Sequence, residues 1–223
     1  MLFMRKILFV LMSLYVSVSV FAQKTEEIDG HKAVDLGLSV KWATCNIGAN
    51  KPAEAGDYFS WGEVKTKKVY DWKNYAYCSG GAKSITKYCV LPAYGSTDGR
   101  KELGSADDAA SANWGSEWRT PTMEEFNELM KKCKVKWMPN YRNTGVPGYK
   151  VTAKNGNFIF LPAVGFYQLQ RTEDVGKCGH YATSTLYEKS NDSAYSVILD
   201  AARMEGSFDY RYYGISVRPV TAK

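Results

Sequence analysis

Residues Ser111 to Cys133, "SANWGSEWRTPTMEEFNELMKKC", hold the clearest helical signal in the chain. Thr122-Met-Glu-Glu125 has the spacing of a capping box: Thr122 takes the amide of the third helical residue and Glu125 reaches back to the cap's own N–H. Pro121 restricts Thr120 and favours an extended approach to the cap. Met123, Phe126, Leu129, Met130 and Cys133 then recur at helical spacing, giving one apolar face of about three turns. Glu124, Glu128, Lys131 and Lys132 lie mostly on the other side. Trp114 and Trp118 precede the helix and are expected to pack in the core beneath it. Arg119, between Trp118 and the cap, either binds an anion or bridges loop carbonyls and carboxylates. The block is the start of a helix rather than a catalytic constellation.

Elsewhere the pattern is that of strands. Residues 34–42 alternate apolar and polar positions, the period of a half-buried strand. Residues 43–104 are irregular, with short strands expected at Tyr58–Trp61 and Tyr88–Val90. Ser105 is placed to cap a short helix carrying Asp107 and Asp108 in its first turn. That role explains the two carboxylates more simply than an acid pair for catalysis or metal binding. Gly148–Thr152 and Phe158–Leu161 flank Asn155-Gly156, a hairpin signal. Tyr181–Thr185, Ala194–Leu199, Phe208–Tyr210 and Gly214–Val220 complete the set. The expected fold is α+β, with few helices, many short antiparallel strands and long loops, and without internal repeats.

Met1–Lys6 carries Arg5 and Lys6, residues 7–21 are almost wholly apolar, and Val20-Phe21-Ala22 offers a small-residue cleavage site. These are the three regions of an export signal. At roughly 15 apolar residues the segment is short for a membrane span. Residues 1–22 are therefore expected to be a signal peptide and residues 23–223 one exported domain without a transmembrane span. Its place would be the periplasm, the outer surface or the extracellular space. The formal charge of +6 is spread thinly over lysine runs that read as solvated faces, so no nucleic-acid partner is expected. Five cysteines, Cys45, Cys78, Cys89, Cys133 and Cys178, leave at least one thiol free or intermolecular. Cys78 and Cys89 are the nearest candidates for a disulfide, which export would permit. No Cys-x-x-Cys or Cys–His spacing suggests zinc, and neither metal nor cofactor is expected.

Five blocks carry a resemblance: "AVDLGLSVKWATCNIGA", "GDYFSWGE", "DDAASANWGSEWRTPTMEEFNEL", "GYKVTAKNGNFIFLPAVGF" and "YYGISVRPV". In this order, from about Ala33 to Val220, they resemble exported Bacteroidetes proteins with the Fibrobacter succinogenes major paralogous domain. The resemblance implies a C-type-lectin-like fold of the formylglycine-generating-enzyme subtype. Within it, residues 118–126 are similar to the helix start of that fold and Gly214–Arg218 to its closing strand, which gives Arg218 a structural role. The Glu-Pro-Asn and Gln-Pro-Asp tripeptides of calcium-dependent sugar sites do not occur. Cys178 stands alone where the related oxidases need a cysteine pair.

Three function classes compete. The first is recognition of a glycan or protein through the aromatic C-terminal part, with Tyr167, Gln168, Tyr181, Tyr187, Tyr210, Arg211 and Tyr213 as candidate ligand residues. Tyr suits that task because it offers a rigid face and a hydroxyl at low entropic cost. The second is a structural or adhesion subunit of the envelope or a pilus, of unspecified oligomeric state. The third is an enzyme built on Cys178 and His180, which share one face if they lie in a strand; no third group to orient the histidine is evident. Asp192-Ser193-Ala194 fits the short O-glycosylation pattern of exported Bacteroidetes proteins and marks Ser193 as a modification candidate.

Overall fold

The computed structural model describes residues 23–223. The expected signal peptide, residues 1–22, lies outside the described residues. The strands are β1 (Glu26–Ile28), β2 (His31–Val34), β3 (Lys41–Ala43), β4 (Tyr58–Phe59), β5 (Trp118–Arg119), β6 (Lys134–Met138), β7 (Gly148–Thr152) and β8 (Phe158–Pro162). They continue with β9 (Phe166–Gln168), β10 (Arg171–Glu173), β11 (Cys178–Leu186), β12 (Ser193–Asp200), β13 (Met204–Tyr210), β14 (Ile215–Ser216) and β15 (Val220–Thr221). Two α-helices, α1 (Ala109–Trp114) and α2 (Met123–Lys132), stand between β4 and β6.

Strands hold 35% of the residues and helix 14%, so the architecture is mainly β. This corrects the expected α+β, C-type-lectin-like domain. Both α-helices fall within residues 109–132 and the remaining helix is short 3-10 turns, whereas Tyr, Val, Thr and Ser between Gly-rich turns favour paired strands. One five-stranded sheet runs β1-β2-β3-β15-β5, a second runs β13-β12-β11-β14-β4, and β6-β7-β8 and β9-β10 form smaller sheets. Pairing is antiparallel except between β11 and β14. The last strands join both large sheets, since β14 pairs with β11 and β4 while β15 pairs with β3 and β5.

The core lies under α2, where Met123, Phe126 and Leu129 pack with Trp42, Tyr181, Val197 and Leu199. Burying a side chain such as Phe126 or Leu129 contributes about 1.5–3 kcal/mol. Thr122 accepts from the Glu125 amide and the Glu125 carboxylate accepts from the Thr122 N–H, so both halves of the capping box form. A second clamp comes from Arg218, fully buried, whose guanidinium donates to Asn46 Oδ1 (2.9 Å) and the carbonyls of Ala43, Thr44 and Phe160. It ties the N-terminal sheet, the following loop and β8 together. Among the described residues no helix is long and apolar enough to cross a membrane.

Several local expectations change. Residues 35–40 are loop, with Leu36, Leu38 and Val40 still buried; the alternation records burial without strand pairing. The Asp35 carbonyl there accepts from the Asn155 and Asn157 side chains. Tyr88 takes positive φ (56°) instead of extending a strand. Ser105 begins a 3-10 turn, and the α-helix starts after Asp108, whose carboxylate caps Ala110 and Ser111 and also accepts from Thr120. Asp107 is held by the Tyr77 and Tyr88 hydroxyls and by Lys87. All five cysteines are free thiols, which corrects the expected Cys78–Cys89 disulfide: the Cys78 thiol faces the Trp72 carbonyl and the Cys89 thiol the Leu91 carbonyl.

Candidate functional site

β13 is an edge strand, and Phe208 and Tyr210 stand two residues apart on it, on one side of the pleat. Their side chains are 51% and 46% exposed. Each ring is braced from behind. Tyr187 stacks on Phe208 (4.3 Å between centroids, 6° between planes), and Tyr195 meets Tyr187 edge-on. Tyr212 stacks on Tyr210, Tyr213 meets it edge-on, and Trp72 packs against Tyr212 at 4.9 Å. The exposed rings are thus rigidly presented, which lowers the entropy lost on contact with a ligand.

Beside them is an open depression of about 290 Å³ lined by Ser190, Asp192, Ser193, Phe208, Asp209, Tyr210 and Tyr213. Asp192 Oδ1 accepts from the hydroxyls of Ser190 (2.7 Å) and Ser193 (3.1 Å). Asp209 faces His180, with Nδ1 at 2.9 Å from Oδ2. Burial draws the His180 imidazole down, but the hydrogen-bonded Asp209 carboxylate outweighs that and raises its pKa to about 9. The surface therefore combines flat apolar faces with carboxylate and hydroxyl groups. Such a set suits a polyhydroxylated ring better than a purely apolar ligand. Among the described residues no group of three or more His, Cys, Asp or Glu side chains is placed to hold a metal ion.

Of the candidate ligand residues, Tyr187, Tyr210 and Tyr213 gather at this surface, and Gln168 reaches its edge through a hydrogen bond to the Tyr212 hydroxyl. Tyr167 lies to one side, its ring against Tyr58 and Tyr70 and its hydroxyl on the Gln170 carbonyl. Two candidates are corrected. Tyr181 is buried in the core with its hydroxyl donating to the Pro162 carbonyl. Arg211 is buried between the rings of Trp61 and Tyr75 and donates to Tyr75 Oη and the carbonyls of Lys87, Tyr88 and Asn191. Ser193 is corrected too: it is buried, with its hydroxyl turned to Asp192, and so is shielded from a glycosyl donor in the folded chain.

The structural candidates sit as follows. Trp118 is fully buried, donates Nε1–H to the Ile28 carbonyl, and meets Trp114 edge-on at 5.2 Å. His31 stacks on Trp114. Arg119 forms a two-pronged pair with Glu125 and a bond to the Thr120 carbonyl. Trp72 and Ser190 carry no signal in the sequence, and Asp192 enters it only through the Asp192-Ser193-Ala194 motif. Phe208 was legible as a strand residue; its outward exposure depends on β13 ending the sheet, which no local pattern records. Comparison with protein-family models, curated proteins and solved structures finds no match to this chain.

Proposed function

We propose that the chain is an exported recognition protein that binds a saccharide against the Phe208–Tyr210 edge of β13. What carries this reading is the pair of braced, exposed rings beside Asp192, Ser190 and Asp209. A pyranose presents C–H groups on one face and hydroxyls around its rim. The rings take the face and the Asp192 carboxylate accepts from the rim, an arrangement that needs no metal. Export rests on the sequence of residues 1–22 and on the resemblance to exported proteins. Binding to a saccharide array tests the reading: saturable signal that weakens in Tyr210→Ala is expected, and silence across the array contradicts it.

A second reading has one observation in its favour. β13 is both a sheet edge and the carrier of the exposed rings, and such edges accept a strand from a neighbouring subunit. An envelope or pilus subunit of that kind self-associates or captures a protein segment. Molar mass that rises with concentration, and falls back in Phe208→Lys, is its signature; an invariant monomer counts against it.

A further inference from the structure

The small sheet β6-β7-β8 turns one face to the core, through Val151 and Ile159, and the other outward. Side chains in register across a sheet share a face. On the outer face Lys134, Thr152 and Phe158 form one row, and Lys136, Lys150 and Phe160 the next. Lys136 therefore lies directly opposite Lys150, a like-charge pair that destabilises a sheet. Arg142 joins them from the turn after β6. Its guanidinium lies over the rings of Tyr141 and Phe158 at 5.4 and 5.5 Å, and Lys150 Nζ is 4.2 Å from the centre of Phe158. Tyr141 stacks in turn on Phe160 at 3.8 Å. Arg142 and Asn143 both take positive φ (48° and 60°), a left-handed turn that L-residues adopt at a cost. Among the described residues none of these four cations belongs to an ion pair, although Lys132, close by in sequence, is paired with Glu128. A depression of about 260 Å³ opens beside Arg142 and Phe158, walled also by Gln23, Thr44 and Pro52, and no acidic residue lines it.

We propose that the outer face of β6-β7-β8 is a second binding surface, which takes a linear acidic polysaccharide with Lys134, Lys136, Lys150 and Arg142 on its carboxylates. A lysine run is usually only a solvated face, but solvation does not require two lysines set opposite each other or an arginine held in a left-handed turn. Costs of this kind concentrate where a ligand is clamped, and an acidic ligand supplies the negative charge that the fold leaves out. The cations form a flat field. About 7 Å separates Lys134 from Lys136 along the strand, and about 5 Å separates Lys136 from Lys150 across the pair. A chain with a carboxylate on successive rings matches that field better than a single anion does. The Arg142 fork can donate two N–H bonds to one carboxylate, and the lysines act as point charges. A bilayer fits less well, because Phe160 is roofed by Tyr141 and Phe158 by Lys150 and Arg142, so neither ring is free to enter the acyl region. The surface shares no residue with the depression at Phe208 and Tyr210, whose wall holds Asp192 and Asp209. Its charge is opposite, and its ligand is independent of the one proposed there.

The test is a titration of the full chain with polygalacturonate, with phosphatidylglycerol vesicles, polyglutamate and duplex DNA measured beside it. Saturable binding of polygalacturonate is expected at about 50 mM salt, weakened about tenfold at about 200 mM as the Debye length shortens. Lys136→Gln/Lys150→Gln/Arg142→Gln should weaken it at least about tenfold. Lys65→Gln/Lys68→Gln/Lys73→Gln removes the same charge from another exposed segment and should leave it within about twofold. Lys136→Gln alone should weaken binding about threefold and should not lower the melting temperature, since it relieves the pair with Lys150; this exposed single change keeps the test valid if the triple variant fails to fold. Phe208→Ala/Tyr210→Ala should bind polygalacturonate as wild type does, which separates this surface from the site on β13. Absence of polygalacturonate binding, equal weakening in the two triple variants, or tighter binding of vesicles, polyglutamate or DNA overturns the proposal.

Discussion

Residues 118–126 and 208–213 are built from the same kinds of side chain, and each carries one arginine, but they are turned inside out relative to one another. At the helix start the rings of Trp118 and Phe126 are wholly buried, while the Arg119 side chain is 43% exposed and pairs with Glu125. At the edge of β13 the rings of Phe208 and Tyr210 face outward, and Arg211 is the group with no exposure. A carboxylate partner lets Arg119 stay at the surface, where its charge remains solvated. The partners of Arg211 are four neutral oxygens and two aromatic faces, so it works as a buried multidonor clasp. Residue type alone does not divide holding from binding; the partner does.

The comparison is broken most forcefully at its buried rings. Trp118→Ala should cost about 3–5 kcal/mol, seen as a large drop in denaturation midpoint, whereas Phe208→Ala should stay within about 0.5 kcal/mol. Equal losses would erase the distinction between the two segments. The arginines come next. Arg211→Met leaves four oxygens without their donor and should cost about 3 kcal/mol in urea unfolding, against about 1 kcal/mol or less for the solvent-screened Arg119→Met.

The ionic pair behind the edge sharpens the comparison through pH. The His180 pKa, about 9 in the folded chain, lies above the ordinary value of 6.5. Its stabilising contribution is therefore fully present below about pH 6.5 and is lost as pH rises through 9. The melting temperature should fall across that window, and Asp209→Asn should flatten the fall; an unchanged profile in that variant would show that the pair is not responsible. The smallest effect is at the cap, where Thr122→Ala should cost about 1 kcal/mol by thermal melt, with Thr122→Ser close to wild type.

How much of this was legible from sequence follows the range of the interactions. Thr122, Glu125 and the apolar stripe of α2 are local features, set by spacings of three and four residues, and they can be read without the rest of the chain. The Asn155-Gly156 hairpin is local in the same sense. The exposure of Tyr210 and the burial of Tyr181 and Arg211 are not local, because each depends on whether a second sheet, a loop or solvent lies opposite. The buried clasp of Arg211 gathers residues 75, 87, 88 and 191, and no periodicity within residues 208–213 announces them. Asp209 was likewise missed as the orienting partner of His180, since 29 residues separate them. The cap of the first helix is displaced for the same reason: Ser105 has a cap's chemistry, but Asp108, which also accepts from the distant Thr120, takes the role.

The most direct measurement is a titration of the strongest array saccharide against wild type and Phe208→Ala/Tyr210→Ala, with the melting temperature of each protein recorded beside it. The account predicts a melting temperature close to wild type and affinity reduced by at least about tenfold, as expected when about 1.4 kcal/mol or more of contact is removed. A double variant that binds as wild type does, or one that loses binding only because it unfolds, would contradict the assignment of these rings to recognition.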